Sequence, residues 1–182
     1  MVLSKEDAEL FYKLFFSLLD YANRKYNICP DIGKMRTASS LNPVDVKEVA
    51  NAVWDDPVII EEYLRSRKNR ISEDDAAILS SWKRRIADDF ILERHLKSGS
   101  VFISSSTGEV YLVSGIISSW EGIFYYRNPP IMINAVLIPF KNVIISDGLV
   151  LPYNMYFGTN AKAGFKEQYM HSTKNGLIHM FI

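Results

Sequence analysis

Charge is spread so unevenly along this chain that it dictates the order in which structural classes follow one another. Residues 1–100 hold 16 basic and 17 acidic side chains, whereas residues 101–182 hold only 5 and 4, with 13 of the 23 aromatic residues and 7 of the 9 glycines. Helices with ion-paired outer faces give the first pattern, and charge-poor strands punctuated by glycine turns give the second. The sequence therefore predicts an α+β fold, with a helical region over 1–98 packed with an antiparallel β-sheet over 99–182, as two regions or one compact unit. A chain of 182 residues buries roughly two-thirds of its unfolded surface, enough for a core without metal or disulfide support. The 21 basic and 21 acidic residues cancel, which argues against a protein that coats nucleic acid or an anionic membrane through excess positive charge.

Four helices follow from start signals and apolar spacing. Ser4 and Asp7 form a capping-box pattern, and Ala8, Phe11, Phe15, Leu18 and Ala22 recur at helical spacing, which predicts a helix over 5–26. Asn42-Pro43 and Asp56-Pro57 pair a capping side chain with a proline in the first turn, opening helices over 43–54 and 57–69. Ser72 and Asp75 open a fourth, predicted over 73–97 because Ile78, Trp82, Ile86 and Phe90 recur every four residues. Arg84 with Asp88, Arg85 with Asp89 and Glu93 with Lys97 then supply opposite charges four apart. The intervening stretch, 27–41, contains Pro30 and Gly33 and reads as a loop.

Beyond Ser100 the pattern becomes extended. Val101–Ile103 and Val110–Val113 flank a Ser-Thr-Gly-Glu turn, and Ile131–Phe140 is answered by Val143–Ser146 across Lys141-Asn142. Asp147-Gly148 predicts a further hairpin into Leu149–Leu151. About five antiparallel strands are implied, with Pro139 and Pro152 at strand ends or an edge. A late helix is predicted over 160–173, stopped by Gly176, and a last strand over 177–182.

The run Ala135–Gly148, Pro152-Tyr153, Phe157-Gly158 and Gly176-Leu177-Ile178, together with Trp82, Phe90, Arg94–Lys97 and Val101–Ile103, resembles a family of uncharacterised bacterial proteins. The likeness spans 78–182 and implies that the end of the helical region and the strand region belong together. It brings no catalytic or binding residue with it.

Chemical signatures are sparse. Cys29 is a lone cysteine, and His95, His171 and His179 are scattered, so neither a disulfide nor a metal site is expected. No P-loop, G-x-G-x-x-G or nucleophile elbow occurs, and no cofactor or catalytic residue is assigned. The amino-terminal residues are acidic where a signal peptide is basic, and no apolar run is long enough to span a bilayer; the expected location is the cytoplasm. Two aromatic clusters stand out: Trp120, Phe124, Tyr125 and Tyr126 before Arg127, and Tyr153, Tyr156 and Phe157 after Pro152. Tyr, Trp and Arg are enriched at interface hot spots, although the same rings also suit a sheet core. Asp147 is one of four acidic residues in this region and is either a pocket carboxylate or an ordinary turn residue. The expected function is a non-catalytic module that binds a protein partner or a second copy of itself, as a homodimer, through Trp120, Tyr125, Tyr126, Arg127, Asp147 and Tyr153. The alternative is a nucleic-acid-associated regulator using Arg65, Arg67, Lys68 and Arg70 with the basic run 83–85; an enzyme with an unrecognised site comes third.

Overall fold

A computed structural model describes residues 1–30 and 42–182; most of the predicted 27–41 loop lies outside the described residues. The chain divides into two units, Lys5–Lys83 and a second made of Arg84–Ile182 with Met1–Ser4. The division therefore falls at residue 83, not at 98 as charge and periodicity implied.

The first unit is helical: α1 Lys5–Tyr26, α2 Pro43–Asp55, α3 Val58–Ser66 and α4 Glu73–Ser81, closed by a short 3-10 turn that begins at Trp82. The predicted caps of α2 and α4 are present, whereas at α3 the cap position falls on Pro57, one residue later than predicted, and Asp56 binds the first helical N–H from outside it. Asn42 accepts the Val44 N–H at 3.1 Å, Asp56 that of Val58 at 3.0 Å and Ser72 that of Asp75 at 3.1 Å. Each satisfies a donor that the first helical turn would otherwise leave orphaned. Phe11, Leu14, Phe15, Leu18 and Leu19 of α1 are buried, as are Val49, Val53 and Trp54 of α2 and Ile59, Ile60 and Tyr63 of α3. Phe15, Trp54 and Trp82 meet at ring separations of 6.1–6.3 Å. α3 ends at Ser66, short of the predicted 69, because beyond Leu64 only polar and charged residues follow, and helical stability in water comes mainly from a packed apolar face.

The larger correction concerns 73–97. The helix stops at Ser81, whose hydroxyl donates to the Ile78 carbonyl at 2.6 Å, and Ile86–Leu96 is a strand, β1. It leads the second unit, followed by β2 Gly99–Ser104, β3 Val110–Val113, α5 Trp120–Ile123, β4 Ile131–Phe140, β5 Val143–Ser146, β6 Leu151–Pro152, α6 Thr159–Asn175 and β7 Ile178–His179. The sheet is mixed and, among the described residues, has seven strands; β3 is parallel to both β5 and β7. β1 pairs with β4 through Ile86–Leu92 and with β2 through Phe90–Leu96, with an irregularity between Leu92 and Arg94. That bulge bends β1 from one neighbour to the other. Because β2 pairs β3, β3 pairs β5 and β5 pairs β4, the five strands close in the order β1-β2-β3-β5-β4-β1. This is a small closed barrel of Greek-key strand order. Closure also explains why Asp147-Gly148 makes no hairpin: β5 already has neighbours on both edges, so β6 pairs with β4 at Ile133 and Asn134 instead.

Strand alternation sends one set of side chains inward. Phe90, Leu92, Phe102, Tyr111, Val113, Ile131, Ile133, Ala135, Leu137 and Ile144 form the barrel core with Trp120 and Phe124. The opposite set, Ile91, Val101, Ile103 and Val110, is also buried, under Phe157, Ile178 and the Phe165 and Tyr169 side chains of α6. α6 is fastened by Gln168, whose amide donates to the Gly108 carbonyl at 2.6 Å, and by Arg94, which lies 4.1 Å from the centroid of the Tyr169 ring. It is capped as predicted by Gly176 in the left-handed region at φ 64°. No helix among the described residues is long and apolar enough to cross a membrane.

Candidate functional site

Aromatic rings lead from the barrel core to its surface. Ser119 caps α5 by accepting the Gly122 N–H at 3.1 Å, which aims Trp120 inward against Phe102 with ring centroids 4.9 Å apart. Phe124 stacks on Trp120 at 6.2 Å, Tyr126 packs on Phe124 at 6.4 Å, and Tyr125 lies edge-on to Tyr126 at 5.6 Å. Burial falls steeply along this path: Trp120 and Phe124 are enclosed, whereas Tyr126 is 58% and Tyr125 84% exposed. Arg127 stands 5.8 Å from the Tyr126 ring and donates from Nη1 to the Tyr153 carbonyl at 2.7 Å. One guanidinium thus joins the two aromatic clusters that are 26 residues apart in sequence.

Tyr153 is oriented from beneath. Its hydroxyl donates to Asp89 Oδ1 at 2.9 Å, and the Asn134 amide donates to the same oxygen at 2.9 Å. The hydrogen bond to Asp89 keeps the phenol protonated well into the alkaline range. Neither Asp89 nor Asn134 is marked in the sequence; Asp89 reads there as part of a helical charge pair. Of the six residues nominated for binding, Tyr125, Tyr126, Arg127 and Tyr153 come together on this surface. Trp120 supports it from the core. Asp147 does not belong to it: it is 1% exposed, and its Oδ1 accepts the Leu149 N–H at 3.0 Å, the hydrogen bond of a turn residue.

A second polar cluster sits at the β2–β3 turn. The Asp88 carboxylate accepts from the Ser104 hydroxyl, from the Ser106 hydroxyl at 2.7 Å and from the Ser106 and Asp89 N–H groups at 3.3 and 2.8 Å. Burial pushes this carboxyl up, but the serine and backbone hydrogen bonds outweigh it and hold Asp88 below the ordinary range. Glu109 is likewise lowered, chiefly by the Tyr111 and Thr107 hydroxyls, and faces His179 Nε2 at 3.6 Å. Carboxylates held this low are weak proton acceptors, so neighbouring hydroxyls are fixed in place and not activated. Cys29 is equally unreactive: burial and then Glu48 push its thiol up to about 11. Among the described residues no three His, Cys, Asp or Glu side chains gather to hold a metal.

In the helical unit, Lys25 pairs with Glu62 at 2.6 Å, and Tyr26 donates to the same carboxylate. Hydrogen bonds from Lys25 and Tyr26 hold Glu62 below the usual carboxylate range. Tyr21, Lys25, Glu62, Arg65 and Ser66 line a depression of about 340 Å³. Arg65, Arg67, Lys68 and Arg70 are exposed at and beyond the end of α3. The run 83–85 is divided between the two units. Lys83 is bound to Glu61 at 3.0 Å, and Arg84 and Arg85 fall in the other unit. Compared with protein-family models, curated proteins and solved structures, the chain matches none.

Proposed function

We propose that the chain is a non-catalytic binding module that docks a protein surface, a second copy of itself being the simplest case, through Tyr125, Tyr126, Arg127 and Tyr153. The observation that carries this reading is the aromatic path that ends in two exposed tyrosines while Arg127 ties them to Tyr153. Tyr126 rests on a buried ring, so the patch is preorganised, and ordering it on binding costs little side-chain entropy. Rigid tyrosines beside an arginine are the side chains that dominate alanine scans of interfaces. The polar clusters favour binding over catalysis, since their carboxylates are held in a form that accepts protons poorly.

The test is sedimentation velocity at micromolar concentration, combined with purification from the native host, on the wild type and on Tyr125→Ala/Tyr126→Ala. A dimer mass or a stoichiometric partner present with the wild type and lost in the variant supports the reading. A strict monomer whose co-purifying proteins are unchanged by the double substitution overturns it.

A further inference from the structure

Ion pairing in the helical unit does not extend to the end of α3. Lys5, Lys13, Arg24, Lys25 and Lys83 each lie within 4 Å of a carboxylate, on Glu9, Asp75, Asp20, Glu62 and Glu61 respectively. Arg65, Arg67, Lys68 and Arg70 have no such partner among the described residues, although the chain carries 21 acidic side chains. Four like charges in six residues repel one another, and the helix dipole accounts for little of the arrangement. Its effect fades within the last turn, and α3 ends at Ser66, so Lys68 and Arg70 lie beyond it.

Beside it lies the depression lined by Tyr21, Lys25, Glu62, Arg65 and Ser66, of a volume at the low end of what small ligands occupy; its one carboxylate, Glu62, is ion-paired with Lys25 at 2.6 Å. Tyr21 packs edge-on to the buried Tyr63 at 5.4 Å, and the Arg67 guanidinium stands 5.8 Å from the centroid of the Tyr63 ring. A basic stripe next to an aromatic wall is the arrangement that holds a single strand, with phosphates on the cations and a base against the ring. Duplex readout is disfavoured by the start of α3: Ile59 and Ile60 are buried and Glu61 is paired with Lys83, so the end of the helix that reads bases in a major groove has nothing to offer.

We infer that Arg65, Arg67, Lys68 and Arg70, with the Tyr21 depression, form a binding site for single-stranded nucleic acid that contacts the phosphate backbone without reading sequence. The site is independent of the tyrosine surface on the barrel unit. Four phosphate contacts predict a slope of log K against log salt of about −3 for a single strand, or roughly a 50-fold loss of affinity between 50 and 200 mM salt.

Fluorescence anisotropy with a labelled 20-nucleotide oligothymidylate tests this on the full chain. Wild type should bind with that slope, the duplex of the same length more weakly, and an abasic strand of equal charge more weakly than oligothymidylate. Arg65→Ala/Arg67→Ala/Lys68→Ala/Arg70→Ala, all at exposed positions, should bring the slope close to zero while the circular dichroism spectrum and melting temperature stay within a few degrees of wild type. Tyr125→Ala/Tyr126→Ala should leave the slope unchanged, which separates failure here from failure of the barrel surface. No binding at 50 mM salt, binding unaffected by the fourfold substitution, or equal affinity for inorganic polyphosphate of matched charge would each overturn the inference.

Discussion

Asp88 should be worth more to the barrel than its half-exposed position suggests. Its carboxylate gathers the Ser104 and Ser106 hydroxyls and two backbone N–H groups, and so pins the β2–β3 turn to β1. The Ser104 end of this arrangement is buried and the Ser106 end is exposed. A hydrogen bond to a charged acceptor contributes about 1.5–3 kcal/mol when buried, and neutral or exposed ones contribute less. Asp88→Ala should therefore cost about 2–3 kcal/mol, nearly all of it in the barrel unit. Native-state amide exchange resolves the units separately: Ile103 and Tyr111 should exchange roughly 30- to 150-fold faster, which is that free energy at 1.36 kcal/mol per decade. Amides of Leu18 and Val53 in the helical unit should not change. Acid dependence gives an independent check. The unfolded chain takes up a proton at the ordinary aspartate value of about 3.9, while folded Asp88 resists protonation until lower pH. Its stabilisation is thus complete above the unfolded value and disappears as pH falls through the folded one. Asp88→Asn removes this titration, so the difference between wild type and Asp88→Asn should shrink from neutral pH toward pH 2. Exchange at Ile103 and Tyr111 within threefold of wild type in Asp88→Ala, or parallel acid profiles for wild type and Asp88→Asn, would refute the reasoning.

Three other perturbations have defined outcomes. His95 sits in β1 with Nδ1 2.8 Å from the Ser100 hydroxyl, and burial lowers its affinity for protons; stability should fall as pH drops below about 6.5, and His95→Gln should flatten that part of a melting-temperature profile. At Gly115 a Cβ would lie 2.0 Å from the Ser118 carbonyl oxygen and 3.2 Å from Ser119 Cα, both backbone atoms. Gly115→Ala should therefore lower stability by about 1–3 kcal/mol in thermal denaturation, and an unchanged melting temperature would show that the turn opens freely. Tyr169→Ala removes the ring that Arg94 covers and one of the contacts holding α6 on the barrel; exchange should accelerate along α6 while Phe102 and Ile133 keep their protection.

The elements legible in the sequence are those whose signals are local. Asn42, Asp56 and Ser72 mark helix starts because the capping hydrogen bond spans only two or three residues. Lys141-Asn142 marks the β4–β5 hairpin, where Lys141 takes φ 51°. Tyr125, Tyr126, Arg127 and Tyr153 were recoverable by residue type, but nothing local shows that Arg127 reaches the Tyr153 carbonyl. Asp89 and Asn134, which orient Tyr153, are paired across β1 and β4, a relation set by strand register and invisible without it.

Two features of the sequence disguise the strand Ile86–Leu96 as helix. A strand with one wet face alternates, but Phe90 and Leu92 face the barrel core while Ile91 is buried beneath α6 and its neighbours. Burial on both sides erases the two-residue period at Phe90-Ile91-Leu92, so the four-residue recurrence of Ile78, Trp82, Ile86 and Phe90 stands as the stronger signal. Asp88 and Asp89 then complete the disguise, since the four-residue spacing to Arg84 and Arg85 looks like helical pairing. In the fold these carboxylates serve Ser104, Ser106, Asn134 and Tyr153 instead. Strands β1 and β2 accordingly read as a charge-rich helix and an isolated hairpin arm because α6, some 60 residues further along, supplies the outer layer. Any substitution that detaches α6 without unfolding the barrel exposes Ile91, Val101 and Ile103 together, so a dye that binds exposed apolar surface should report the detached state of Tyr169→Ala before any loss of β-structure is measurable.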